Sequence, residues 1–259
     1  MSAADPARTT GPNADAAAGT GGDPLEALRA STRARVALGR AGDALPTARL
    51  LELRAAHAAA RDAVHSPLDA EDLLGRIGEL GVPASHAASA APSRSEYLRR
   101  PDLGRLLADD AALQRGDYDV VLVVADGLSP LAVQTHAVPM LREILARLDG
   151  WRVAPVVLAS QARVALGDEI ATAVGARSVV VLVGERPGMS STDSLGLYFT
   201  YDARRGRRDS ERNCLSNVRP PHGTGYAEAA TTLAMLMTEA RRLGLSGVGL
   251  KADPALGAP

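Results

Sequence analysis

The chain has 259 residues, of which 46% are hydrophobic and 23% charged, with a formal net charge of -1. These totals suit one large globular domain or a domain with an extension, and the near-neutral charge and 3% aromatic content argue against a nucleic-acid-binding protein. A single cysteine, Cys214, excludes an intramolecular disulfide, and no apolar run approaches the ~20 residues of a membrane helix. Because the N-terminus also lacks a basic region followed by an apolar one, we expect a cytoplasmic protein with no membrane partner.

The first part of the chain divides into a tail and a helical portion. Residues 1–22 are mostly Ala, Gly, Thr and Pro. They bury too little apolar surface to offset the entropy of ordering, so we expect a disordered tail. Residues 23–110 are predicted to form a helical N-terminal portion, with amphipathic helices that begin at Thr47 and near Asp69. Within it, residues 81–95 show no periodicity and predict a loop.

Residues 111–259 carry the alternation of strands and helices that is typical of an α/β domain. Buried strands are predicted at residues 119–125, 153–159 and 179–183, and the last of these is an uninterrupted run of branched apolar residues. A further short strand is predicted at residues 195–200. Helices between successive strands favour right-handed crossovers. We therefore predict an α/β fold, a parallel Rossmann-like sheet with flanking helices, preceded by the helical N-terminal extension.

Polar residues and glycines follow two of these strands at the point where each strand ends. In open α/β sheets, ligands bind at the carboxyl ends of the strands. The groups are Asp126, Gly127 and Ser129 after the first strand, and Gly184, Glu185 and Arg186 after the third. A simpler explanation stays open for each: a plain strand-to-helix turn for the first group, and a self-satisfied Glu–Arg pair for the second.

Neither covalent catalysis nor metal binding finds support in the residue spacing. Cys214 could act as a nucleophile with His222 and Asp209, but most lone cysteines are small packing residues. The five histidines are not spaced as metal ligands usually are, and there is no second cysteine that could complete a metal site. The arginines from Arg204 to Arg219 alternate with acidic residues, which favours a solvated face or a protein interface over a phosphate patch. We predict no catalytic residue and no metal ligand in this chain.

Several long runs of the sequence resemble one family. LVGERPGMSSTDSLGLYFTYDARRGRRDSERNCLSNVRP, at residues 182–220, closely resembles part of the small (light) chain of adenosylcobalamin-dependent ethanolamine ammonia-lyase. EYLRRPDLGRLL, DVVLVVADGLSPLAVQTHAVPML and QARVALGDEI are similar to further segments of that family. The resemblance extends over roughly Leu25 to Asp253, and runs of this length are specific.

This resemblance implies a subunit of a carbon–nitrogen lyase that converts ethanolamine to acetaldehyde and ammonia by radical chemistry. In the family, the large chain carries the substrate and the radical steps, and the small chain helps to hold adenosylcobalamin at the interface between the two chains. No D-x-H-x-x-G run is present. The cofactor is therefore expected in its base-on form, with its own base on cobalt.

The resemblance also implies a partner and a place in the cell. The expected partner is the large subunit of the lyase, in a higher hetero-oligomer, and the isolated chain is expected to be inactive. The expected location is the cytoplasm. Packaging inside a bacterial microcompartment is left open, because the tail shows no amphipathic helix before Pro24.

The family's cofactor contacts carry over to three positions, Val164 in ARVALGD, Glu185 in GERPG and Cys214 in RNCLSN. Val164 offers an apolar contact to the corrin or to the base of the nucleotide tail. Glu185 can accept hydrogen bonds from corrin amides, and Cys214 supplies small, soft packing. Six further contacts are predicted from strand-end geometry alone: Arg163, Gly184, Arg186, Asp126, Gly127 and Ser129.

Two other functions stand beside the cobalamin-binding subunit. One is a structural partner that stabilises the large chain without touching the cofactor. The other is a free-standing nucleotide- or phosphate-binding protein that uses Arg186 and Arg212. The three differ in what they bind, because only the first predicts that substitutions at Glu185 and Val164 weaken cobalamin binding while assembly stays intact.

Overall fold

The computed structural model describes residues 25–108 and 111–251, so the tail predicted for residues 1–22 lies outside the described residues. Strands and helices alternate over residues 118–184, as the sequence pattern predicts. The helices are α1 (Glu26–Ser31), α2 (Thr47–His65), α3 (Ala70–Gly78), α4 (Arg94–Arg99), α5 (Pro130–Leu145), α6 (Leu166–Val174) and α7 (Tyr226–Leu243). The strands are β1 (Ala84–Ala88), β2 (Tyr118–Ala125), β3 (Val156–Ser160), β4 (Ala176–Gly184), β5 (Leu195–Tyr201) and β6 (Asn213–Val218).

The strands form one six-stranded sheet in the order β1-β3-β2-β4-β5-β6. The α/β class is confirmed, but the prediction of a parallel sheet is only partly right. Strands β1, β3, β2 and β4 are parallel, whereas β5 runs antiparallel to β4 and β6 antiparallel to β5. The connection from Gly184 to Leu195 contains no helix, and a connection this short returns the chain as a hairpin instead of a crossover. The sheet is therefore mixed.

Two strands lie where the sequence predicts none. β1 falls inside residues 81–95, which were predicted to be a loop, so the helical N-terminal portion also contributes an edge strand. Its sequence, ASHAA, has no branched apolar residue, and it is recruited by pairing with β3 from Ala84↔Val156 to Ala88↔Ser160. β6, with the sequence NCLSNV, has a mostly solvent-facing polar pattern. Both lie at sheet edges, where strands need little apolar sequence.

The central strands are buried on both faces, which explains their unbroken apolar sequence. Val120, Leu122 and Val124 of β2 point into a core that also contains residues of α3, α5 and α7. Val121 and Val123 point the other way, into a core that contains residues of α6. The sheet thus lies between two helical layers, and loops lie at the ends of its strands.

By compactness, the chain divides into two units, residues 1–49 and 50–259. In the described part of the first unit, α1 is followed by a short antiparallel bridge between Ala41 and Ala44. The domain boundaries predicted after residues 22 and 110 stay predictions. Across the described ranges, no helix is both long and apolar enough to span a bilayer.

Candidate functional site

A surface hollow of about 440 Å³ lies where β2, β3 and β4 end. This is the edge of the sheet at which the sequence predicts a ligand. Six of the nine predicted site residues line it: Gly127, Arg163, Val164, Gly184, Glu185 and Arg186. The structure therefore brings together residues from three separate loops, after β2, after β3 and after β4.

Main chain from two of these loops meets at the floor of the hollow. Gly127 has a positive φ of 55°, and a Cβ atom there would collide with the carbonyl oxygen of Gly184. A Cβ atom on Gly184 would in turn collide with the carbonyl oxygen of Ser129. The N–H of Leu128 donates to the Gly184 carbonyl at 2.9 Å. Only glycine fits both positions, since each needs either the left-handed backbone or the missing side chain.

Asp126 anchors the loop that follows β3. Its carboxylate is 2% exposed and accepts hydrogen bonds from the N–H groups of Gln161 and Ala162, both at 2.9 Å. Arg94 Nη1 lies 3.3 Å from the same carboxylate and donates to the carbonyl of Gly127 at 2.8 Å. Asp126 thus holds the backbone immediately before Arg163, and the direct ligand contact predicted for it stays a prediction.

Ser129 begins α5 and ties it to the loop between β4 and β5. Its hydroxyl accepts from the N–H of Ala132 at 3.2 Å, as an N-cap residue does, and donates to the carbonyl of Thr192 at 2.8 Å. The side chain is fully buried. Its predicted ligand contact therefore also stays a prediction, while its visible role is to fix two loops of the site.

Glu185 is held by β6 and not by the neighbouring arginine. Its Oε1 accepts from the hydroxyl of Ser216 at 2.7 Å, and its Oε2 accepts from the N–H of Asn217 at 3.1 Å. Within the described residues, no ion pair joins Glu185 to Arg186, so the simple Glu–Arg pair considered above is wrong. Each carboxylate oxygen has two lone pairs. The held carboxylate can therefore still accept hydrogen bonds from a ligand in the hollow.

Cys214 faces Tyr198 across the β5–β6 ladder. Burial, together with the neighbouring Cys214 thiol, raises the pKa of Tyr198 well above its ordinary value. Partial desolvation, together with the nearby carboxylate of Glu185, raises the pKa of the Cys214 thiol, although the residue reaches solvent. Both groups are therefore neutral at physiological pH, which suits packing and not nucleophilic attack. Tyr198 lines the hollow and Cys214 lies beside it.

Tyr97 is a site residue that the sequence does not reveal. It is fully buried, lines the hollow, and donates a hydrogen bond to the carbonyl of Ala162 at 3.0 Å. Its ring is stacked by the guanidinium groups of Arg163, at 4.5 Å from the centroid, and of Arg94, at 4.9 Å. Burial raises the pKa of Tyr97 well above its ordinary value, so the phenol stays protonated. The available signals were its rarity, as one of five tyrosines in the chain, and its place in the run EYLRRPDLGRLL.

The family of this chain can be settled by comparison with known proteins. The family model described as "Ethanolamine ammonia-lyase light chain" matches residues 22–251, a stretch that contains all of the residues described above. The chain belongs to the ethanolamine ammonia-lyase light chain family.

Relatives within the ethanolamine ammonia-lyase light chain family are close in sequence. The small subunit of Rhodococcus erythropolis is 53% identical over 226 residues, which cover 86% of this chain and 88% of that protein. The small subunit of Ralstonia nicotianae is 53% identical over 239 residues, and that of Azotobacter vinelandii is 52% identical over 239, each match covering 88% of both chains. This membership supports the lyase subunit over a free-standing nucleotide-binding protein.

Proposed function

We propose that this chain, as the small subunit of an ethanolamine ammonia-lyase, helps to hold base-on adenosylcobalamin against a large catalytic subunit. The observation that carries the proposal is the hollow at the strand ends, in which Glu185 is held from behind by β6 while its carboxylate stays able to accept further hydrogen bonds. When bound, the cofactor supplies radical chemistry through homolysis of its cobalt–carbon bond. This chain supplies binding and orientation.

The donor set of the hollow fits cobalamin. A corrin ring carries amide side chains, and a held carboxylate such as that of Glu185 is a good acceptor for amide N–H groups. Val164 adds apolar wall, and neutral Tyr198 adds polarisable surface. A hollow of about 440 Å³ accepts part of a cobalamin and leaves the rest exposed for a second chain. This arrangement supports a cofactor shared between two subunits.

The partner of this chain is proposed to be the large subunit, within a higher hetero-oligomer. Leu131, one residue into α5, and Met189, in the loop that carries Arg186, are each 45% exposed. Both follow a strand end that contributes to the hollow. Exposed apolar side chains beside a ligand site are suited to a protein interface. The cytoplasm is the proposed location, and packaging within a microcompartment stays a further possibility.

Reconstitution tests the proposal directly. Acetaldehyde release from ethanolamine is measured with adenosylcobalamin and this chain alone, the large chain alone, or both. We expect activity only in the mixture. A mixture that assembles but stays inactive would contradict the proposal.

Glu185→Gln separates a cofactor-binding subunit from a merely structural one. In the assembled complex, we expect about tenfold weaker cyanocobalamin binding, because a charge-assisted acceptor is replaced by a neutral one. The measurement is an equilibrium titration followed by absorbance, with assembly checked by gel filtration. A matched control is Glu239→Gln, since Glu239 lies on α7 and pairs with Arg242. Unchanged cobalamin affinity in Glu185→Gln would favour the structural role.

A further inference from the structure

One arginine in the hollow carries a positive charge that the described part of the chain does not neutralise. Arg163 makes no ion pair within residues 25–108 and 111–251, and its Nε is buried without a hydrogen-bond partner. The acidic groups around it are engaged elsewhere. Asp126 is paired with Arg94, and Asp209, which lines a hollow together with Arg163, lies 3.5 Å from Arg212 Nε. The guanidinium therefore brings a net positive charge to the site.

The position of Arg163 is also fixed before any ligand arrives. Its guanidinium lies 4.5 Å from the centre of the Tyr97 ring, and its backbone N–H donates to the carbonyl of Gly104 at 2.8 Å. A Cβ atom on Gly104 would lie 3.0 Å from Arg163 Cγ, so the stem is packed closely against this turn. An arginine held over an aromatic ring loses little further entropy on binding a ligand.

The neighbours of Arg163 leave its charge available to the ligand. The Glu185 carboxylate, which lines the same hollow, is turned to Ser216 and Asn217 and forms no ion pair with Arg163. Arg186 stands exposed at the rim and makes no ion pair with the described residues. Two cations and one engaged carboxylate therefore give the hollow a positive excess, which attracts an anion.

Cobalamin has one anionic group, the phosphodiester of its nucleotide tail, whereas the amides around the corrin are neutral. We propose that Arg163 binds this phosphodiester, an inference that rests on the proposed function. A planar guanidinium is the side chain best suited to two parallel hydrogen bonds with phosphate oxygens. Because Val164 is the next residue, the same loop would hold the phosphate and pack against the adjoining part of the tail.

The test compares two corrinoids on the assembled complex of this chain with its large subunit. Cyanocobalamin carries the phosphodiester, and dicyanocobinamide keeps the corrin amides but lacks the nucleotide tail. For Arg163→Gln we expect about ten- to hundredfold weaker cyanocobalamin binding, the usual effect of losing charge-assisted hydrogen bonds, and unchanged cobinamide binding. Arg163→Lys should recover part of the loss. Arg100→Gln is the matched control, since Arg100 is exposed and paired with Asp102.

Each outcome decides between distinct explanations. Equal weakening of both corrinoids by Arg163→Gln would overturn the proposal, since the residue would then serve the corrin or the shape of the hollow. Unchanged affinity for both would overturn it as well. A wild-type complex that binds neither corrinoid would instead contradict the proposed function itself, so the two failures can be told apart.

A second measurement covers the case in which cobinamide binds too weakly to compare. The ³¹P resonance of cyanocobalamin reports on its phosphodiester alone. We expect this resonance to shift when the cofactor binds the wild-type complex, and to return toward its free position when the Arg163→Gln complex is saturated. The same shift in both complexes would overturn the assignment of Arg163 to the phosphate.

Discussion

Arg212 and Arg163 show how one fold treats the same charge in two ways. Arg212 is 7% exposed and binds both carboxylate oxygens of Asp168, at 2.8 and 2.7 Å, with Thr200 Oγ1 and the carbonyl of Arg207 completing its contacts. Arg163 has an aromatic ring for support and no acidic partner among the described residues. The fold itself neutralises the first arginine, whereas the second is the one that we propose binds a ligand. An arginine's partners, more than its burial, thus indicate its role.

The largest effect on stability is expected at Arg212. Arg212→Gln leaves Asp168 as an unpaired buried charge, which lowers the free energy of unfolding by about 3–5 kcal/mol. Urea denaturation of the complex measures this, and adding Asp168→Asn should recover part of the loss. Arg163→Gln, in contrast, should change stability by only about 1 kcal/mol, since no buried carboxylate loses its partner. If both single variants were equally destabilised, the distinction between the two arginines would be wrong.

A smaller effect is expected at Tyr97, which supports Arg163. Tyr97→Phe removes the hydrogen bond to Ala162 and should lower the free energy of unfolding by about 1 kcal/mol, with cobalamin affinity nearly unchanged because the ring stays. Tyr97→Leu removes the ring, so affinity should fall severalfold although no charge is lost. The cyanocobalamin titration measures the affinity of both variants, and urea denaturation measures the stability of Tyr97→Phe. Equal affinities of the two variants would show that stacking does not position Arg163.

The smallest effect concerns the surface ion pair between Arg152 and Asp119, whose contribution to stability is lost in acid. Hydrogen bonds from Arg152 lower the pKa of Asp119 to about 2. The folded pKa thus lies below the unfolded value of about 3.9, so this pair stabilises the fold above pH ~4 and loses its contribution as the pH falls toward 2. Thermal unfolding between pH 5 and 2, in wild type and Asp119→Asn, measures this. The variant should lose less stability over that range, and parallel curves would contradict the assignment.

Sequence reasoning was strongest where burial on both faces dictates the residues. The branched runs of β2 and β4 predicted strands, and the polar groups after them lie at the edge of the sheet that carries the hollow. β1 and β6 could not be found in this way, because edge strands are specified by their pairing partners and not by their own apolar content. The direction of β5, in contrast, was predictable, because the connection from Gly184 to Leu195 is short and contains no helix, which favours a hairpin.

Within the site, the sequence indicated which residues gather but not what engages them. Nothing local distinguishes Arg163 from Arg212, since Tyr97 lies 66 positions before the first and Asp168 lies 44 before the second. The partners of Glu185 are likewise more than thirty residues along the chain, in a strand that was not predicted. Such pairings arise only when distant segments fold together. The sequence thus predicted Glu185 as an acceptor, but only the placement of β6 shows what holds its carboxylate.

The meeting of Gly127 and Gly184 limits how this site can be redesigned. Because the floor is made of main chain in contact with main chain, its depth cannot be altered by exchanging side chains. Any attempt to reshape the hollow for a different ligand has to change its walls and rim, at positions such as Arg163, Val164, Arg186 and Ser216. The main chain at Gly127 and Gly184 thus fixes the floor, whereas the side chains of the walls and rim can be exchanged. A library of variants should therefore keep both glycines and vary the walls and rim.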